Sequence, residues 1–113
     1  MNDIEVGDYV RTKQGEIAKI VDTNMFDKTI YKDKQGVKYY LEEIVNHSKN
    51  IIDLIEVGDY VNGSEVLENY QHPRDLWEPR YLRTERDNYI LNDNINSIVT
   101  KQQFEAIEYK IGG

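Results

Sequence analysis

The stretch IEVGDYV occurs twice in this chain of 113 residues, from Ile4 to Val10 and again, unchanged, from Ile55 to Val61. Apolar and polar residues alternate in both copies, which is typical of a half-buried strand. A Gly-Asp pair interrupts the alternation. Glycine accepts a positive φ and aspartate tolerates turns, so this pair predicts a bulge or a sharp bend. The repeat therefore predicts two related β units that open on the same bent segment.

Short strand patterns separated by turn signals follow each copy. After the first copy we expect a turn at Gly15 and a hairpin turn at residues 34–36, between strands near 30–31 and 37–40. After the second copy, Asn62-Gly63 predicts a hairpin, because a type I′ turn needs a positive φ at both central residues. Several short strands with regular turns indicate a sandwich or a barrel.

The segment between the two halves has an ambiguous pattern. Its apolar residues have helical spacing from Leu41, yet Ile44–His47 can equally form a strand. We favour a turn at Glu42-Glu43, then this strand, and then a short helical turn near Asn50–Leu54.

The last part of the chain returns to strand-forming residues in NYILNDNINSIV, residues 88–99. Thr100–Gln103 has the form of a capping box, so we expect a short helix over TKQQFEAI. The alternation in AIEYKI predicts a final strand, which leaves the boundary between helix and strand near Ala106 open.

The run GDYVRTKQGEIAKI, Gly7–Ile20, resembles the opening of KOW-like and Src-homology-type small barrels. In those barrels a strand containing Gly-Asp leads through a glycine turn into a second strand. Two further segments, Asn46–Val66 and Ser97–Ile111, resemble small uncharacterised phage and prophage proteins of Firmicutes. The resemblances imply a mainly β fold of small SH3-like barrel units in degenerate tandem, with a short C-terminal helical turn. We place the units at residues 1–50 and 51–113; the sequence leaves open whether they share one core.

The charge and composition of the chain favour some kinds of binding partner over others. The net charge is −7; residues 1–50 carry eight basic and nine acidic side chains, and residues 51–113 carry six and twelve. This balance argues against general binding to phosphate backbones and suits a basic partner, although it also serves solubility. With no cysteine and only His47 and His72, no metal site is indicated by spacing, and we expect no cofactor.

The start of the chain lacks the pattern of a signal peptide, and no apolar run has the length of a membrane span. We therefore expect a cytoplasmic protein in a bacterial host, with no membrane contact. An exposed strand edge leaves room for pairing with a second copy of the chain.

The segment YQHPRDLWEPRYLRTERDNY, residues 70–89, is the candidate binding region. It holds the single tryptophan, both prolines and four of the five arginines, and we expect it to be a long loop. Tryptophan, tyrosine and arginine are favoured at interface hot spots. The alternative is that the segment packs as a lid, with its arginines paired to Glu78, Glu85 and Asp87. The candidate binding residues are Arg74, Trp77, Arg80, Tyr81, Arg83 and Arg86.

We expect a non-enzymatic phage or prophage protein that binds a protein partner, for instance to inhibit a host defence system. The alternative is a small β-barrel module that binds nucleotides or nucleic acid through its arginines. An enzyme ranks last because no catalytic constellation is visible, and the repeated aspartates Asp8 and Asp59 are more typical of turn chemistry than of catalysis.

Overall fold

The computed structural model of the protein describes residues 4–23, 26, 29–71, 74, 79–87 and 90–105. Over these residues the chain is mainly β, as predicted, with ten short strands in three antiparallel sheets. The strands are β1 (Tyr9–Thr12), β2 (Ile17–Lys19), β3 (Asp22–Thr23), β4 (Ile30–Lys32), β5 (Lys38–Tyr40), β6 (Ile44–Ser48), β7 (Tyr60–Val61), β8 (Ser64–Tyr70), β9 (Tyr81–Thr84) and β10 (Ile98–Val99).

The chain divides into two compact units, unit 1 (Met1–Leu54) and unit 2 (Ile55–Gly113). The boundary lies directly before the second copy of the repeated sequence. Unit 1 contains the sheets β2-β1-β6 and β3-β4-β5, and unit 2 contains the sheet β10-β7-β8-β9. The strand pairs among the described residues do not close either unit into a barrel, so the predicted barrel closure is not seen.

The first copy of the repeat folds into a tight turn that leads into β1. The N–H of Asp8 donates to the carbonyl of Glu5 at 3.0 Å, and the Asp8 carboxylate accepts the N–H of Glu5 at 3.0 Å. Gly7 has a φ of 97°, a conformation that glycine adopts without steric cost. Gly7 and Asp8 then pair with Ile20, through bonds of 2.7 and 2.8 Å, and so align the next strand.

The second copy folds in the same way. Asp59 N–H donates to the carbonyl of Glu56 at 3.1 Å, and the Asp59 carboxylate accepts the Glu56 N–H at 2.7 Å. Gly58 also has a φ of 97°. Val66 takes the place of Ile20, with bonds of 3.0 and 2.7 Å to Gly58 and Asp59. The predicted bend at Gly-Asp is therefore confirmed in both copies.

The bend lies before the strand and not within it. Val6 and Val57, which the alternation assigned to a half-buried strand, are 56% and 57% exposed at the turn tips. Strand pairing begins only at Tyr9 and Tyr60. The carboxylate bond of the aspartate holds the preceding residues in a turn, and this local bond outweighs the strand preference of an isolated valine.

The hairpin turns of unit 1 follow the sequence signals. Gly15 has a φ of 86° and its N–H donates to Thr12, which closes the predicted turn between β1 and β2. Gly36 has a φ of 82° in the predicted turn between β4 and β5. There Asp33 accepts the N–H groups of Gln35 and Val37 at 2.9 and 3.0 Å. The core of this unit is formed by the buried side chains Val10, Ala18, Ile20, Tyr31 and Tyr39.

The ambiguous segment of unit 1 folds as we favoured. A 3₁₀ turn covers Leu41–Glu43, strand β6 follows over Ile44–Ser48, and a second 3₁₀ turn covers Ile51–Leu54. β6 pairs with β1, with His47 opposite Val10. The helical spacing of the apolar residues therefore reflects a single short turn and not a helix.

The predicted Asn-Gly hairpin of unit 2 is confirmed. Asn62 and Gly63 have φ values of 53° and 81°, and the turn joins β7 to β8. The strand prediction for residues 88–99 holds only for β10 and for an isolated bridge from Ile90 to Leu82. A 3₁₀ turn over Asn92–Asn94 separates the two. Buried apolar side chains of this unit include Ile55, Val61, Val66, Leu82 and Ile90.

The predicted capping box starts a short helix over residues 101–105. Gln103 N–H donates to Thr100 Oγ1 at 3.3 Å, and Thr100 N–H donates to Gln103 Oε1 at 3.0 Å. These bonds satisfy two N–H groups that the first helical turn leaves free. The strand predicted for AIEYKI falls on residues 106–111, which lie outside the described residues.

The two units use the same order of elements. In each, the first strand (β1 or β7) lies between the strand that follows it and the last strand (β6 or β10). A 3₁₀ turn precedes that last strand, and a short helical turn follows it. The buried Val10 and Val61 occupy matching positions, each paired to both neighbouring strands. The identical sequences thus form the same turn and the same strand pairings, with different side chains around them.

Replacing either turn glycine by alanine is expected to destabilise its unit by about 1–2 kcal/mol, because a Cβ disfavours a positive φ. The cost arises from the backbone, since a Cβ at Gly7 meets nothing within 4 Å and one at Gly58 meets only Lys101 at ordinary contact distance. Urea unfolding of Gly7→Ala and Gly58→Ala measures it. The control is Val6→Ala in the same turn, for which a change within about 0.5 kcal/mol is expected; equal losses in control and glycine variants would contradict the strain argument.

Candidate functional site

The structure places part of the predicted 70–89 loop in a strand. Residues 81–84 form β9, so the loop assignment is wrong for this stretch. Leu82 and Thr84 are buried, while Arg83 is exposed and Tyr81 is half-buried. Burial thus alternates from one residue to the next, as in a strand. The alternating stretch is only four residues long and is flanked by charged residues, so the sequence pattern did not reveal it.

The outer face of the β8–β9 hairpin brings two predicted residues together with two others. Tyr81 lies opposite Tyr70, and their ring centroids are 5.1 Å apart with the planes tilted by 42°. Arg83 lies opposite Glu68, with its Nε 3.3 Å from Glu68 Oε2. Opposed residues of an antiparallel pair share a face, and so do residues two apart on one strand. The four side chains therefore form one patch, which we call the tyrosine–arginine face.

Arg80 is placed differently. Its Nη1 donates to Asn69 Oδ1 at 3.0 Å, and Asn69 Nδ2 donates to the carbonyl of Ile55 at 2.8 Å. Asn69 lies opposite Leu82, on the other face of the hairpin from Tyr70. Arg80 therefore belongs to a network within the unit and not to the tyrosine–arginine face.

Two of the remaining predicted residues are described, and both lie outside the strands of the hairpin. Arg86 is exposed in the turn after β9, where its N–H donates to Ser64 Oγ at 3.2 Å. Arg74 is exposed in the connection between the strands. Trp77 lies outside the described residues. The structure thus unites Tyr81 with Arg83 and does not place Arg80 with them.

Sequence reasoning missed Glu68 and Tyr70 as members of this face. Strict alternation from the buried Val66 would turn both toward the inner face, and the register irregularity between Val66 and Glu68 turns them outward instead. Their pairing with Arg83 and Tyr81 was not readable, since it depends on the register of two strands that a ten-residue connection separates. The lid alternative paired the arginines with nearby acids, whereas Arg83 contacts Glu68 across the sheet.

A second charged cluster surrounds the turn aspartate of unit 1. The buried Asp8 lies 2.7 Å from Lys49 Nζ through its Oδ1 and 3.3 Å from His47 Nδ1 through its Oδ2. Burial opposes ionisation of this carboxyl, but the bonds from Lys49, Glu5 N–H and His47 outweigh it and hold its pKa below the usual value. The same bond to Asp8 raises the pKa of Lys49.

The matching aspartate of unit 2 has other partners. Asp59 Oδ1 accepts the backbone N–H of Lys101 at 2.9 Å, at the start of the short helix. Lys101 Nζ lies 2.7 Å from Glu56. Both aspartates therefore satisfy backbone groups of their own turns, which accords with turn chemistry as their role.

Among the described residues, no group of three or more histidine, aspartate or glutamate side chains is placed to hold a metal ion. In unit 1 a cavity of about 370 Å³ is lined by Thr29, Tyr40, Leu41 and Glu42, and Glu42 is the single carboxylate of that set. Across the described ranges, no helix is long and apolar enough to span a bilayer.

The chain was also compared with known proteins. No protein family, no curated protein and no solved structure matches it.

Replacing Asp8 by asparagine tests the charge of the buried carboxylate. Because the pKa of Asp8 is lower in the folded than in the unfolded chain, its ionised form stabilises the fold above pH 3.8, and this contribution is lost as the pH falls through the lower native pKa. At neutral pH we expect Asp8→Asn to lower the free energy of unfolding by roughly 1–3 kcal/mol. Below the native pKa of Asp8, where this carboxyl is protonated, the variant and the wild type should have similar free energies of unfolding.

Urea unfolding across this pH range measures the difference between the two proteins. Other carboxylates titrate in both proteins and cancel in the difference. If the difference in the free energy of unfolding between the two proteins stayed constant through acid pH, the ionisation of Asp8 would not stabilise the fold.

Proposed function

We propose that the protein is a non-enzymatic binding protein that recognises another protein through the tyrosine–arginine face of unit 2. The observation that carries the proposal is the packing of Tyr70 against Tyr81, beside Arg83, on an outward sheet face. Tyrosine and arginine supply large contact area and directional donors, and they dominate the binding energy of many interfaces. A rigid strand pair also holds them with little entropy to lose on binding.

The charge around this face favours a protein over a nucleic acid. Arg83 is paired with Glu68, and Arg80 donates to Asn69. Residues 51–113 carry six basic and twelve acidic side chains. Phosphate backbones are bound by clusters of cations that release counterions, and a face with this balance has little net attraction for them. A protein with a basic surface fits the acidic unit better.

The proposal extends to the fold and the biological setting. We infer that each unit is related to small SH3-like barrels and that the two arose by duplication. The support is the repeated turn, the shared order of strands, and the 3₁₀ turn before the last strand of each unit. The phage or prophage setting, in which the partner belongs to a host defence system, rests on the sequence resemblance of Asn46–Val66 and Ser97–Ile111.

The test is retention of a partner from bacterial lysate by the wild type and by a Tyr81→Ala, Arg83→Ala double variant. The partner is then purified and its binding measured by calorimetry. We expect the double variant to lose at least about 2 kcal/mol, roughly a 30-fold weaker Kd. The exposed Arg83–Glu68 pair contributes only about 0–1 kcal/mol to stability, but Tyr81 is half-buried against Tyr70, so the fold of the double variant is checked by thermal unfolding before binding is compared.

The matched control is Tyr40→Ala with Lys38→Ala on β5. These residues are likewise a tyrosine and a cation at outward positions two apart on one strand, but in unit 1. The control should bind like the wild type. Equal binding by all three proteins would exclude this face, and salt-dependent binding of an oligonucleotide without a protein partner would favour the nucleic-acid alternative.

A further inference from the structure

The turn between β7 and β8 holds the only Asn-Gly pair of the chain, Asn62-Gly63. Both residues have a positive φ, as a two-residue type I′ turn requires. An asparagine followed by glycine is the pair most prone to deamidation, because glycine has no side chain to hinder attack by its own nitrogen. The residue pair that favours this turn is therefore also prone to deamidation.

The Asn62 carboxamide is hydrogen-bonded in unit 2 through both its oxygen and its nitrogen. Its Oδ1 accepts the N–H groups of Asn96 and Ser97 at 2.8 and 3.1 Å. Its Nδ2 donates to the carbonyl of Asn94 at 2.9 Å, and its backbone N–H donates to the carbonyl of Ser97 at 3.0 Å. One side chain thus fixes residues 94–97, which lead directly into β10.

This network opposes the reaction. Deamidation needs the backbone nitrogen of Gly63 to attack the side-chain carbon of Asn62. A bond forms between them, the bond to the side-chain nitrogen breaks, and that nitrogen leaves as ammonia with the proton that the Gly63 nitrogen loses. Water then opens the cyclic imide to aspartate or isoaspartate. The attack requires the carboxamide to turn toward Gly63, and the bonds to residues 94–97 must break first.

We propose that Asn62 is a latent modification site, protected while unit 2 is folded and deamidated when the segment 94–97 detaches from the turn. The aspartate product restores only part of this network, because a carboxylate can accept the N–H groups of Asn96 and Ser97 but has no N–H for the Asn94 carbonyl and sets a negative charge against that oxygen. Deamidation during a transient opening would therefore permanently remove the hydrogen bond from Asn62 Nδ2 to the Asn94 carbonyl, which joins the β7–β8 turn to the segment before β10.

The matching position of unit 1 lacks this chemistry. Val10 and Val61 occupy equivalent places in their sheets, and the residues that follow them are Arg11 and Asn62. Arg11 is buried and its Nη1 donates to the carbonyl of Leu54 at 2.9 Å. Both side chains tie a first strand to a distant segment of their own unit, but only the asparagine is open to deamidation. The site is therefore confined to the unit that carries the tyrosine–arginine face.

The experiment follows the mass of the peptide containing Asn62 during incubation in mildly alkaline buffer, with the full chain either native or in guanidinium chloride. We expect the exchange of NH₂ for OH to be at least about tenfold slower in the native protein, since it requires local opening. Equal rates in the two conditions would overturn the protection, and no reaction in the denaturant would overturn the site itself.

The consequence is tested with Asn62→Asp, which reproduces one product. We expect a lower melting temperature, because the Nδ2 donor to the Asn94 carbonyl is lost, whereas the aspartate oxygen can still accept the N–H groups of Asn96 and Ser97. The matched control is Asn46→Asp, since Asn46 contacts the Asp53 carbonyl at only 3.4 Å and is exposed. A variant at Asn62 as stable as this control would overturn the proposed loss.

Discussion

The turn aspartate is the constraint on which each unit depends. Its carboxylate accepts an N–H three residues earlier, and its backbone pairs with the strand that follows the next turn. In both copies the preceding glycine has a φ of 97°, a conformation that other residues adopt only with strain. One residue thus closes the turn, sets the start of the first strand and fixes the register of its neighbour. The seven residues that make this arrangement are the ones that occur twice.

The units differ in what they build around that shared turn. The second oxygen of Asp8 is held by the side chain of Lys49, whereas that of Asp59 accepts the first backbone N–H of a short helix. On the outward sheet faces, Asp22 lies opposite Lys32 in unit 1 and Glu68 lies opposite Arg83 in unit 2. The two units share the turn and the strands paired with it, and they differ in the side chains on their surfaces.

The features that were predicted correctly from the sequence are those set by residues close together in the chain. The turn at Asn62-Gly63 and the capping box at Thr100 depend on residues within a few positions of each other, and both are confirmed. Strand β9 was missed because its two buried residues gain their burial from pairing with β8. The exposure of Val6 was missed because a side-chain hydrogen bond overrides strand preference. The tyrosine–arginine face needed the register of β8 and β9, so only half of its members were predicted.

The most direct test of this account is amide hydrogen exchange at Glu56 in the wild type and in Asp59→Ala. The Glu56 N–H donates to the Asp59 carboxylate, and Glu5 in the unaltered first copy serves as an internal reference. The account predicts that Glu56 loses its protection in the variant, together with Gly58 and Val66, whose bonds the same turn aligns. Unchanged protection at these three amides would contradict the role given to the aspartate.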